Sequence, residues 1–198
     1  MKNRGALTVD GEQMERRSLG IEGLILVTPR RFGDDRGWFS ESWNAQKMAE
    51  AGFAFNWVQD NHSFSAARGT LRGLHYQAPP RAQDKLVRCT RGAVLDVGVD
   101  ARAGSPSFGA WRAVELSAEN GHQLLLPKGF LHGFLTLTED CEVQYKCTDY
   151  YVPESDGAVR WDSAGIDWGF DGAPVLSAKD AAAPAFDQWQ TPFTWEAA

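Results

Sequence analysis

The chain has 198 residues, 43% of them hydrophobic and 12% aromatic, which is enough to bury one full core without division into separately folding units. A net charge of −6 with a pI near 5.2 argues against a general polyanion-binding surface, so no nucleic-acid partner is expected. Cys89, Cys141 and Cys147 are odd in number and lack zinc-type spacing, so neither a disulfide framework nor a structural metal is suggested and a reducing, cytoplasmic setting is expected.

Residues 1–20 are polar and contain no apolar run of signal or membrane length; they read as an N-terminal extension, and no membrane partner is expected. Trp43 to Ala51 reads as a helix stopped by Gly52. Most of the chain beyond Gly52 reads as short strands punctuated by turn residues. Lys85-Leu86-Val87-Arg88-Cys89 alternates and puts Lys85 in phase with Val87 and Cys89, an unusual place for a lysine. In Ala93 to Asp100, Leu95, Val97 and Val99 share one face while Asp96, Gly98 and Asp100 share the other. Cys141 to Cys147 alternates in the same way, so Val143 and Tyr145 point inward with the two cysteines. The alanines 181–183 read as a second short helix, cut off by Pro184, and 189–198 as a C-terminal tail. The expectation is an all-β domain over 21–188, with a few short peripheral helices.

Gly121-x5-Pro127-x-Gly129-x2-His132 matches the second signature of the cupin barrels, a strand-turn-strand whose histidine points into a jelly-roll β-barrel. The first signature would supply two histidines and a glutamate as metal ligands. Here His75 keeps the first histidine position, Gln77 replaces the second, and Lys85 stands in place of the glutamate. An ammonium there repels a divalent cation while still stabilising developing negative charge, so the site reads as metal-free and built for an oxyanion. His75 is the natural base for such chemistry, and Tyr145 could return a proton from the other side. Plainer readings stand beside these: His75 and His132 as core or turn-packing histidines, Lys85 snorkelling to a rim, and Tyr145 as a packed aromatic. Ser177-x-x-Asp180 ahead of the alanine run is also a helix-capping pattern.

Beyond these patterns, the chain resembles the dTDP-4-dehydrorhamnose 3,5-epimerases over roughly residues 21–188. The resemblance is carried by Phe32 to Gly37, Val58 to Ser63, Leu71 to Gln77, Gln83 to Arg88, Ser105 to Gly109, Leu126 to Phe134, Tyr145-Lys146 and Leu176 to Asp180. It implies a base, His75, paired with Asp180, an enolate-stabilising Lys85, and Tyr145 as the acid on the opposite face. It further implies that Arg36, Phe39, Glu41, Gln59, Asn61, Arg72, His132 and Lys179 line the site for a dTDP-linked 4-keto-6-deoxysugar. A homodimer without cofactor is expected on the same ground. Asp84 and Asp156 depart from the family, which usually has glycine and glutamate there. Three rival readings stand beside this one: a mono-epimerase acting at C3 or C5 only, a metal-dependent cupin, and a sugar-nucleotide-binding cupin without activity.

Overall fold

A computed structural model describes residues 14–196. In chain order its strands are β1 (Met14–Ser18), β2 (Ile25–Pro29), β3 (Phe32–Asp34), β4 (Gly37–Phe39), β5 (Gln59–Ser65), β6 (Leu71–Gln77), β7 (Lys85–Arg91) and β8 (Ala93–Asp100). They continue with β9 (Arg102–Ala103), β10 (Trp111–Ser117), β11 (Gln123–Leu126), β12 (Phe130–Thr136), β13 (Cys141–Cys147), β14 (Asp156–Ala158) and β15 (Phe193–Thr194). Two short helices, α1 (Ala45–Glu50) and α2 (Ala178–Ala181), lie among them.

The strands form a six-stranded sheet, ordered β1-β2-β11-β7-β13-β5, and a five-stranded sheet, ordered β10-β8-β12-β6-β14. All pairings within these two sheets are antiparallel. This is the all-β, cupin-type jelly roll expected. Leu26, Val87, Leu124, Leu126 and Val143 from one sheet meet Val94, Leu116, Phe130 and Phe134 from the other in a single apolar core. Alternation sends Leu131, Leu135, Val97 and Val99 to the opposite face of the five-stranded sheet, where Val159, Trp168 and Phe193 cover them. Strand β12 is therefore buried along its whole length. On the outside of the six-stranded sheet, α1 seats Met48 over Leu86 and Leu125.

Helix α1 forms within 43–51, where the sequence places it, whereas α2 forms at 178–181 and meets the expected alanines 181–183 only at Ala181, because the Ser177 cap sets its start upstream of that run. Asn44 caps α1 through its side chain, and Ser177 caps α2. Residues 1–13 and 197–198 lie outside the described residues, but the described parts of the expected extension and tail are more structured than their sequence periodicity conveys. Strand β1 pairs with β2 at the sheet edge. Phe193 and Trp189 pack on the five-stranded sheet, and β15 runs parallel to β9. Aromatic burial, which leaves no short period in sequence, holds this tail.

Candidate active site

Strand β6 lies between β12 and β14, and His75 stands directly opposite His132 on the first and Ala158 on the second. Close approach of β6 and β12 depends on Gly73. A side chain there would put its Cβ 2.5 Å from the Gly133 Cα, and its φ of +133° disfavours any other residue. His75 Nε2 lies 2.5 Å from Asp180 Oδ1. Asp180 is brought there by α2, where the Ser177 hydroxyl accepts a bond from the Asp180 backbone N–H. The helix cap and the His75–Asp180 hydrogen bond thus coexist in this stretch. Burial alone would raise the Asp180 pKa, but the hydrogen bond from His75, the attraction of its ring and further bonds from Ser177 and the Gly73 N–H hold it below its ordinary value.

His75 opens onto a cavity of about 370 Å³ lined by Gln59, Asn61, Lys85, Tyr145, Tyr151 and Asp156 among others. Lys85 enters it from β7, opposite Cys147 of β13. Burial lowers the Lys85 pKa, opposed by the negative potential of Cys147, Asp156 and Asp96. The ammonium makes no hydrogen bond or ion pair among the described residues; its nearest ring contact is Tyr145, 5.9 Å to the centroid. The Tyr145 hydroxyl is likewise unpartnered among the described residues, and burial pushes it up to about 12. A base with its orienting carboxylate, a cation and a protonated phenol therefore share one cavity. That set can remove a proton next to a carbonyl, hold the enolate charge and return the proton.

Of the remaining predicted residues, Gln59, Asn61 and Lys179 line the cavity. They are tied together: Gln59 Nε2 donates to Asn61 Oδ1 at 3.0 Å, and Lys179 Nζ donates to Asp156. Arg72 sits beside it, donating to Ser65 and the Phe64 carbonyl, and its charge acts on Tyr145. His132 is buried behind His75 with Nε2 3.0 Å from Asp96. Arg36, Phe39 and Glu41 are not among the cavity's lining residues. They sit on or next to the exposed β3–β4 hairpin, with Arg36 on Asp34 and Glu41 on Lys47. Asp84 turns away from the cavity; its carboxylate accepts from the Lys128 N–H and the Thr148 hydroxyl, both at 2.9 Å. Sequence reasoning did not assign Tyr76, Gln77, Gln83 and Tyr151 to the substrate site, though they line the cavity, and it missed Asp96 beneath His132. The polar register of β8 carried the signal for Asp96. Nothing periodic marked Tyr151.

A second cleft, of about 390 Å³, lies on the outer side of the six-stranded sheet around Trp43, His62, Arg88 and Lys146. Its Lys146 and His62 are already satisfied by Asp60 and Glu142, so it offers no poised cation–base combination.

The family model for dTDP-4-dehydrorhamnose 3,5-epimerase matches residues 18–188. The chain belongs to this family. It is 52% identical over 171 residues to the dTDP-4-dehydrorhamnose 3,5-epimerase of Salmonella typhimurium, covering 85% of this chain and 93% of that one. The structure of a 3,5-epimerase from Legionella pneumophila in complex with dTDP-4-keto-L-rhamnose is similar, with a TM-score of 0.89 and 42% identity over 93% of this chain and all of that one. A 3′-monoepimerase from Streptomyces bikiniensis in complex with dTDP-quinovose gives 0.80 and 37%, over 86% of this chain and 87% of that chain. Identity is thus higher to these two 3,5-epimerases than to this single-centre relative.

Proposed function

We propose that the protein converts dTDP-4-dehydro-6-deoxy-D-glucose to dTDP-4-dehydro-L-rhamnose, inverting C3 and C5 on either side of the C4 ketone. The observation that carries this reading is the His75–Asp180 pair opening onto the same cavity as an ammonium and a phenol without protein partners. Asp180 accepts the Nε2 proton of His75, which leaves Nδ1 with its lone pair as the proton acceptor. His75 removes the proton from C3 or C5, and the electron pair moves into the C4 carbonyl. Lys85 lies against the resulting oxyanion, in a site whose partial burial strengthens that attraction. Tyr145, kept protonated by its raised pKa, delivers a proton from the opposite face and completes inversion. One base and one cation serve both centres because the ketone acidifies both carbons.

Gln59, Asn61 and Lys179, with Arg72 beside them, hold the sugar nucleotide in this reading, with arginine on the diphosphate, while His132, buried on Asp96, supports the strand that carries His75. The working form is a homodimer. Phe32, Trp38 and Phe39 leave 44%, 60% and 69% of their surface exposed on one hairpin, an apolar patch suited to a second copy. That copy's cavity is where Arg36, Phe39 and Glu41 act. The three cysteines are free and buried, in keeping with a reducing, cytoplasmic setting; no helix among the described residues is long and apolar enough to cross a membrane.

The reading is tested by incubating the protein with the 4-keto-6-deoxy-D-glucose nucleotide, trapping by borohydride reduction and determining the sugar configuration. Inversion at C5 turns a D sugar into an L sugar, so L-rhamnose is expected. Recovery of D sugars alone would contradict double epimerisation.

A further inference from the structure

Two residues after His75 on β6, Gln77 borders the same cavity but is only 5% exposed, its amide almost fully hydrogen-bonded to the backbone. Its Oε1 accepts the Val152 N–H at 2.9 Å. Its Nε2 donates to the Tyr150 carbonyl at 3.0 Å and to the Arg81 carbonyl. A buried amide with three backbone partners at once acts as a three-way clamp, joining β6 to the 78–81 turn and to the 150–152 segment.

That segment leads directly to the mouth of the cavity. The Tyr151 N–H donates to Gln59 Oε1 at 2.9 Å, and its hydroxyl donates to Asp156 at 3.2 Å. Asp156 stands opposite Gln77 in the β14–β6 ladder and also accepts from Lys179. Gln59, Tyr151, Asp156 and Lys179 all line the cavity; Tyr151 belongs to the segment held by Gln77, and the other three are one or two hydrogen bonds from it. The His75–Asp180 contact, by contrast, is anchored by Ser177 and Gly73 and does not run through the Gln77 amide.

We infer that Gln77 is a positioning residue that locks the substrate-binding rim to the strand carrying the base, and so governs affinity for the sugar nucleotide rather than the rate of proton transfer. The inference rests on the epimerase reading for its substrate, but its signature is legible with dTDP alone. Only an amide serves here, since the site needs one acceptor and two donors in a fixed plane. In Gln77→Glu the donor becomes an oxygen facing two carbonyl oxygens, and in Gln77→Met all three bonds disappear at similar volume.

Two measurements test it. In the unsubstituted protein without ligand, the Val152 amide should exchange with solvent as slowly as core amides such as that of Leu131; exchange at the rate of an exposed loop would overturn the inference. In Gln77→Met and Gln77→Glu, KM for the 4-keto-sugar nucleotide and Kd for dTDP should rise about 10-fold or more, with kcat within about 3-fold of the parent. Unchanged KM and Kd, a loss confined to kcat, or loss of Leu131 protection together with Val152 would each overturn it. An inactive parent protein that still loses dTDP affinity on Gln77 substitution would sink the epimerase reading and leave the clamp standing.

Discussion

Lys85 Nζ sits 5.9 Å from the centre of the Tyr145 ring, and neither the ammonium nor the phenol hydroxyl has a hydrogen-bond partner among the described residues. The ring contact is at the outer edge of cation–π range and does little to satisfy the charge. Part-buried polar groups left this way cost stability and are retained where a ligand completes them.

Lys85→Met should therefore abolish turnover and raise the unfolding free energy at pH 7 by about 1 kcal/mol or more. The sign follows from linkage. The folded-state pKa of Lys85 is lowered, so burying the charged form opposes folding at low and neutral pH; the penalty fades as pH rises through the lowered folded-state value and is gone above the unfolded-state value, about 10.4. Chemical denaturation at pH 7 and at about pH 10.5 checks both halves: a stability gain at neutral pH that shrinks in alkali. The same lowered pKa places the alkaline fall of kcat below the ordinary lysine range.

Asp180→Asn should keep the fold and lower kcat by about 100-fold or more, with KM little changed, because the ring of His75 loses the carboxylate that orients it and stabilises its charged form. Stability provides a second readout. The Asp180 pKa is depressed, so its contribution is fully present above the unfolded-state value, about 3.9, and is lost as pH falls through the folded-state value. Acid unfolding of the asparagine variant should be correspondingly less steep between about pH 4 and pH 2.

Tyr145→Phe removes the proposed proton donor but leaves base and cation in place. In deuterium oxide the variant should still exchange substrate protons, while L-sugar formation falls by about 100-fold or more. Equal loss of exchange and inversion would assign Tyr145 to substrate positioning instead.

Arg36, Phe39 and Glu41 lie outside the cavity of their own chain. If they serve a second copy, Arg36→Ala and His75→Ala should each be inactive alone, yet a mixture should recover activity toward about a quarter of the parent value, since half the molecules are mixed dimers with one complete site. No recovery after subunit exchange would place these residues elsewhere.

Much of the fold was legible because alternation is a local property. Val97 and Val99 against Asp96 and Asp100, and Val143 with Tyr145 between two cysteines, give the strand faces directly. Less legible was what covers each face. The polar side of β8 is as buried as its apolar side: Asp96 is bound to His132 and Asp100 to Arg102, Ser105 and Ser107. Lys85 stood out by its phase within β7, and His75 by the signature it half preserves. Asp180 is 105 residues from His75, and no periodicity connects them; pattern alone gave the Ser177 cap, and only the resemblance gave the dyad. Gln77 bonds to backbone groups of two distant segments, and Tyr151 is placed by one of them, so no spacing in the sequence marks either.

At the centre of the proposed chemistry, His75 removes protons from both carbons next to the ketone. Incubation with dTDP-4-keto-6-deoxy-D-glucose in deuterium oxide, with the label located by NMR, tests this most directly. The parent protein should introduce deuterium at both C3 and C5 and His75→Ala at neither; label at a single carbon in the parent, or parent-like labelling in His75→Ala, would contradict it.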